Sequence, residues 1–452
     1  MKTIQTQEEK FRMMTEDPIP GLVGKLAIPT IISMLITSIY NMADTFFVGQ
    51  IGTSATAAVG IVFPLMSIIQ ALGFFFGHGS GNSMSRKLGE QDTQEASFLA
   101  SAGFFLALLT GLCITCLGLI FIDPLVNLLG ATPTSMEYVK AYLRIILLGA
   151  PWMTASLVLN NQLRFQGSAF FAMIGIGTGG ILNMILDPVL IFVFDLGISG
   201  AAIATIFSQF VSFCLLLMGT RRGGNIRIKL SCFRISGERL ATIAGGGLPS
   251  LFRQGLGSIS VIALNLAARP YMDAAIAAMS IVSRISFFAA SALIGFGQGF
   301  QPVCGFNYGA KKYERVREAF WFSMKIAVVI LSILAVAGLV FAEPLITVFR
   351  KDDADVIRIG TLALRLQCIT LPLQSWIILN NMMLQTIGKT FKASLLAMSR
   401  QGLFFIPAIL ILPLIFGLFG IQLSQPVADV ASFILALPLG IETLNEMKQT
   451  TP

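Results

Sequence analysis

The chain has 452 residues, 55% of them hydrophobic and only 12% charged, with a mean hydropathy of +0.80 and a formal net charge of +8. A soluble domain carries about 25% charged residues, so this composition excludes a water-soluble globule and indicates a polytopic helical membrane protein. The surplus positive charge falls in alternate loops, which excludes a nucleic-acid-binding face and makes it a topology signal.

The first eighteen residues are polar, with Glu8, Glu9, Glu16 and Asp17, and no cleavable signal peptide is visible. A dozen apolar stretches follow, centred near residues 35, 68, 108, 149, 181, 208, 256, 290, 330, 370, 404 and 430. Each reaches the roughly 20 residues that a helix needs to cross a bilayer. Loops are marked by breakers at 52–54, 89–92 and 131–134. Basic residues such as Arg86, Lys87, Arg221, Arg222, Lys311 and Lys312 fall in one set of loops, whereas the opposite set holds mainly Lys140, Arg269, Arg350 and Lys351. That asymmetry predicts a multi-pass protein of the plasma (inner) membrane with both termini cytoplasmic.

The chain contains itself twice, at a constant shift. Pro29 returns as Pro249, Gly77-His78-Gly79 as Gly297-Gln298-Gly299, Asn160-Asn161 as Asn380-Asn381, and Gly197/Gly200 as Gly417/Gly420, every pair offset by 220. The polar interval from Arg221 to about Leu240 joins the copies, giving an N-terminal lobe over 1–225 and a C-terminal lobe over 226–452. Six spans per lobe leave both copies entering the membrane in the same sense. The expected fold is therefore all-α, with twelve transmembrane helices in two six-helix bundles related by a pseudo-twofold along the membrane normal, and a cleft between them.

Asp44, Asp187 and Asp429 are the acidic residues deep in the spans. A carboxylate at such depth costs about 3 kcal/mol or more, so it usually faces a cavity and has a role. At a rise of about 1.5 Å per residue, Asp44 on the first span, Asp187 and Asn183 on the fifth, Tyr142 on the fourth and Thr205 on the sixth all reach the outer half of the first lobe. Asn183 and Asp187 are four residues apart and share a helical face. Two carboxylates in one low-dielectric pocket do not both ionise cheaply, so the group suits a proton or a small cation. The second copy lacks the pair: Asp44 shifts onto Leu264, Asp187 onto about Ile406, and Thr205 onto Gln425. Asp429 stands alone on the last span and reads as a second polar site or a packing group.

Other signals are weaker. Cys113-x-x-Cys116 lies in mid-span without a second pair, and packing is the better reading than redox or zinc chemistry. Gly388-Lys389-Thr390 lacks the leading glycine of a phosphate loop. His78, the sole histidine, has no evident partner for metal binding or triad chemistry, and its glycine-rich surroundings suit close helix packing. Arg253 and Arg284 lie within spans and are expected to pair with carbonyls or line the cleft.

The segment Tyr40-Asn-Met-Ala-Asp44-Thr-Phe-Phe-Val-Gly49 resembles the first-span signature of the multidrug and toxic compound extrusion (MATE) transporters. Leu182-Asn183-Met-Ile-Leu-Asp187-Pro188 resembles their fifth-span motif and Gly200-Ala-Ala-Ile-Ala-Thr205 their sixth. The likeness covers almost the whole chain and is nearest the bacterial DinF-like and MepA-like branches. It implies export of organic, often cationic and amphipathic, compounds in exchange for H⁺ or Na⁺. It also implies that Asp44, Tyr142, Asn183, Asp187 and Thr205 form the cation-coupling cluster, and that Asp44, Asn183, Asp187 and Thr205 could hold Na⁺. Asn160 matches a drug-cavity position and is counted with Asp44 and Asp187 as substrate-binding, and Pro29 matches a proline where the first span bends. Where some members carry acidic residues on the seventh and tenth spans, this chain has Arg253, Gln374 and Ser375, which disfavours a sodium site in the second lobe.

The expected protein is a monomeric secondary antiporter working by alternating access. It would have small organic cations and the lipid bilayer as partners, no nucleic acid, and no cofactor beyond the coupling ion. Two alternatives remain open: a flippase for lipid-linked oligosaccharides of the related superfamily, which would favour an arginine-lined cleft, and an intramembrane enzyme, which would need a nucleophile–base pair or metal cluster.

Overall fold

The computed structural model describes residues 6–131, 133, 135–349 and 353–449, without the side chains of residues 45, 53, 272 and 273. Thr132 and Thr134 of the expected outer loop, and Arg350 and Lys351, lie outside the described residues. All regular structure among the described residues is helical.

A short helix α1 (Gln7–Glu16) precedes the spans. Thr6 and Glu9 close its start reciprocally, each side chain bonding the other's backbone N–H, and so satisfy two otherwise orphaned donors. The first lobe then runs through spans Ile19–Ile51, Thr53–Gly89, Thr93–Ile120, Met136–Phe165, Ala169–Pro188 and Gly197–Gly219. The second runs through Gly237–Ala268, Met272–Gly309, Tyr313–Val340, a tenth span built from Ala354–Thr370 and Leu373–Thr386, then Thr390–Met398 with Phe405–Phe416, and Leu418–Gln449. The tenth span bends by 56° at Leu371-Pro372, where proline removes a backbone donor. These spans fall on the twelve expected centres.

The duplication is visible in detail. Short helices Ile122–Leu128 and Ala342–Phe349 occupy equivalent positions in the two copies, as do Gln91 and Lys311, which take left-handed φ values of 61° and 57° in equivalent turns. The fifth span continues as a π-helical turn, Val189–Val193, and the eleventh contains another, Ser399–Leu403. Large apolar side chains such as Leu414, Leu128 and Val193 are exposed, as lipid-facing positions require.

The two lobes meet through glycine at the end of the bundle that carries both described termini. A methyl group on Gly89 would lie 2.2 Å from the Phe306 carbonyl oxygen, and one on Gly309 would lie 2.0 Å from that of Arg86. Both members of each contact shift by 220 between copies, which is the reciprocity a twofold demands. Nearly three turns back along the same spans, Gly79 packs on Ile243 and Gly246, while Gly299 packs on Ala27. Backbone therefore meets backbone here, which side chains would prevent.

Helix α1 straddles this junction. The Lys10 ammonium donates to Ser168 Oγ (2.7 Å) and to Asn225 Oδ1 in the first lobe. On the other side, Asn307 Nδ2 donates to the Met14 carbonyl (2.9 Å), Lys312 Nζ to that of Thr15 (3.2 Å), and Arg315 Nη2 to that of Asp17 (2.6 Å). A paired contact from Arg239 to Glu95 (2.7 and 2.8 Å) adds a further link between the lobes.

Candidate functional site

The site is set by how the first span lies against the fifth. Gly180 has no side chain, so Ile36 and Tyr40 approach it; a methyl there would sit 3.0 Å from Ile36 Cγ2 and 3.2 Å from Tyr40 Cδ1. Both spans run in the same direction. Asp44, one turn beyond Tyr40, therefore faces Asn183 and Asp187, which lie about one and two turns beyond Gly180. Gly200 in turn abuts the Leu190 carbonyl, which seats the sixth span and Thr205 against the fifth.

Asp187 is fully buried and Asn183 is 3% exposed. Asn183 Nδ2 donates to Asp187 Oδ1 at 3.2 Å. Three oxygens, Asp44 Oδ1, Asp187 Oδ2 and Asn183 Oδ1, are buried with no hydrogen-bond donor. Buried acceptors are rarely left empty, and each such group costs about 1–3 kcal/mol. Each of the three has room in its bonding for a proton or a cation. Thr205 donates its hydroxyl to the Ala201 carbonyl (3.0 Å), leaving its own lone pairs free. Tyr142, 1% exposed, turns its hydroxyl toward Met66 Sδ at 3.9 Å. Asp44 lies within electrostatic reach of Asp187, Tyr142 and Tyr40, and Tyr142 within reach of Asp187 and Tyr40. Tyr40 is the member that sequence reasoning missed, although its place four residues before Asp44 on the same face was a usable signal.

Asn160 is not part of this group. It lies 18 positions beyond Tyr142 on the fourth span, about 27 Å along the helix axis, and its Nδ2 donates to the Ala172 carbonyl at 3.1 Å. The expected substrate set of Asn160, Asp44 and Asp187 is thus split between two depths. Pro29 lies inside a first span that stays helical from Ile19 to Ile51. The close contacts Ala27–Gly299 and Ile31–Gly295 flank it, so the span is pinned to the second lobe on both sides of the proline.

The expectation of a solitary Asp429 is corrected. It is fully buried and accepts from Arg400 Nε (2.7 Å), Gln425 Nε2 (2.9 Å), Gln374 Nε2 (3.1 Å) and Thr370 Oγ1 (3.4 Å). Arg400 sits in the π-helical turn of the eleventh span, so its partner is visible only once the spans are packed. Arg253 bonds side-chain oxygens rather than carbonyls, reaching Asn381 Oδ1 at 3.1 Å and Ser250 Oγ at 3.5 Å. Arg284 is exposed. Cys113 and Cys116 are both exposed, so packing does not account for them. No cluster of three or more histidine, cysteine or acidic side chains that could hold a metal occurs among the described residues.

A family model, MatE, matches residues 29–189 and 249–411, two segments whose starts are themselves offset by 220. The multidrug export protein MepA of Staphylococcus saprophyticus is 29% identical over 413 residues, covering 91% of each chain. A MATE crystal structure in complex with MaL6 superimposes with a TM-score of 0.92 at 28% identity, covering 98% of this chain and 99% of that one. The outward-facing structure of a multidrug resistance MATE family transporter of the MOP superfamily gives 0.91 at 28% identity, with the same coverage.

Proposed function

The chain belongs to the MatE family, and we propose that it is an H⁺- or Na⁺-coupled antiporter that exports organic, often cationic and amphipathic, compounds by alternating access. The protein would act as a monomer in the plasma membrane with both termini cytoplasmic. The carrying observation is the trio of buried, donor-free oxygens of Asp44, Asp187 and Asn183. A proton on either carboxylate, or a Na⁺ among Asp44, Asn183, Asp187 and Thr205, would satisfy them. Either ion changes the charge of the pocket, so ion and drug favour different conformations and exchange becomes coupled. The lobes are joined at the end carrying the termini, which on this reading is the cytoplasmic side, so the conformation belongs to the outward-open arm of the cycle.

The flippase alternative called for arginines facing an open cleft. Here Arg164 is 2% exposed and engaged by Gln298, Asn161 and His78, and Arg253 is bonded to Asn381 and Ser250, which leaves Arg284 as the exposed one of the three. The enzyme alternative called for a nucleophile and base. Ser250 Oγ lies 3.0 Å from His78 Nδ1, but the other ring nitrogen faces a guanidinium, where a base would need a carboxylate to orient it and stabilise its charge. Antiport is tested by loading proteoliposomes with a panel of fluorescent cations and imposing pH or Na⁺ gradients. Efflux that follows one gradient identifies the ion; efflux indifferent to both rejects coupling.

A further inference from the structure

The lobe junction contains a buried titratable side chain that the ion pocket does not use. His78, on the second span, is 1% exposed and stacks on Phe74, with ring centroids 5.4 Å apart. Its Nε2 lies 3.3 Å from Arg164 Nη2 and its Nδ1 lies 3.0 Å from Ser250 Oγ, across the junction. Arg164 also reaches across, with Nη1 donating to Gln298 Oε1 at 2.6 Å, while Nη2 donates to Asn161 Oδ1 at 2.6 Å. Residues 78 and 298 are equivalent in the two copies. One guanidinium thus joins the same position of both lobes.

Donor chemistry fixes the state of the ring. Arginine has only donors, so Nε2 must offer its lone pair, and the ring proton must sit on Nδ1, which lies beside Ser250 Oγ and the Phe74 carbonyl. An imidazolium would carry N–H on both nitrogens and would point a donor at a donor. It would also add a positive charge beside Arg164, with Arg253 the other charged group facing the ring and the Phe74 carbonyl alongside. No described carboxylate faces it to compensate. Protonation and the closed junction therefore oppose each other.

We propose that His78 is a second proton-linked residue of the transport cycle: neutral while the lobes are closed at the end carrying the termini, and protonated on Nε2 from the adjoining water when they part there. Arg164 is the positioning residue that makes closure sensitive to the ring's charge. This rests on the antiporter reading only in assuming that the lobes separate at that end. By linkage, acid favours separation.

The test places nitroxide labels at Gln94 and Glu314, both exposed and at equivalent positions of the two copies, in a protein lacking all six native cysteines, Cys304 included because opening would expose it. Asp44→Asn, Asp187→Asn and Lys10→Met are included so that neither the ion pocket nor the α1 bridge between the lobes adds a pH response. Lowering pH from 8 to 5 should raise the long-distance population about fivefold or more, in line with ordinary coupling energies. His78→Gln can still accept from Arg164, as Gln298 does, and should stay closed at both pH values. His78→Ala should be more open at both. A pH-invariant distance with His78 present, or an equal response in His78→Gln, overturns the proposal. Failure of the antiporter reading would appear separately, as efflux unaffected by the Asp44 and Asp187 changes.

Discussion

Asp429 and Arg400 form an ion pair inside the second lobe, with Nε 2.7 Å from Oδ1 and the carboxylate wholly shielded. The equivalent part of the first lobe has carboxylates without any basic partner, so the duplicated scaffold holds two different polar centres. A carboxylate already held by a cation and three neutral donors has no vacancy for a transported ion, whereas Asp187 keeps one oxygen open.

Asp429→Asn should therefore behave as a stability change. Breaking a buried pair on one side costs about 3–5 kcal/mol, and the 21% exposure of Arg400 places this case at the low end. Thermal unfolding in detergent should show the loss, and Asp429→Asn/Arg400→Gln should recover part of it. Per folded molecule, gradient-driven efflux should persist. If Asp429→Asn folds well but uncouples, the second lobe contains the engine.

Asp44→Asn and Asp187→Asn should show the opposite pattern. Each removes a buried charge that lacks a basic partner, so stability should stay within about 1 kcal/mol of the parent or rise. Efflux should fall to the level of empty vesicles. Wild-type efflux from either well-folded variant would remove both carboxylates from the mechanism.

Much of this was legible in the chain because it depends on local period and repeat. Twelve apolar runs, a fixed offset between the copies and a rise of about 1.5 Å per residue suffice to bring Asp44, Tyr142, Asn183, Asp187 and Thr205 to one depth. Which groups then touch is a matter of helix rotation and tilt, which apolar composition leaves undetermined. Arg400 finds Asp429 across 29 residues, and His78 meets Arg164 and Ser250 across 86 and 172. Spans hydrophobic on all sides give no amphipathic face from which such pairings could be read. The same blindness misjudged Cys113 and Cys116, whose exposure to the lipid side follows from rotation alone.

Docking of α1 should depend on pH. Burial without a counter-charge pushes the Lys10 ammonium down to about 7, whereas the undocked side chain would titrate near 10.4. Between these values the undocked state binds more protons, so raising pH strengthens docking; below pH 7 docking is at its weakest and levels off. A spin label at the exposed Glu9 should be more mobile at pH 6.5 than at pH 9. Lys10→Met should remove that difference, and an unchanged pH response in this variant would assign it elsewhere.

The glycine crossing at the lobe junction supplies the last test. Gly309 faces the Arg86 carbonyl and Gly89 the Phe306 carbonyl, and both obstacles are backbone, so no side-chain rotation relieves an added methyl. Gly309→Ala must push the second and eighth spans apart where the lobes close. Overpacking of this kind costs about 1–3 kcal/mol, equivalent to a shift of roughly 5- to 150-fold in a two-state equilibrium. Cys304, on the eighth span and fully buried in the closed junction, reports the change. With the other five cysteines replaced, its alkylation should accelerate by at least the lower factor in Gly309→Ala and in Gly89→Ala. Gly21→Ala, where the added carbon meets nothing within 4 Å, should leave the rate unchanged. A folded Gly309→Ala protein with the parent rate would show that these contacts do not govern closure.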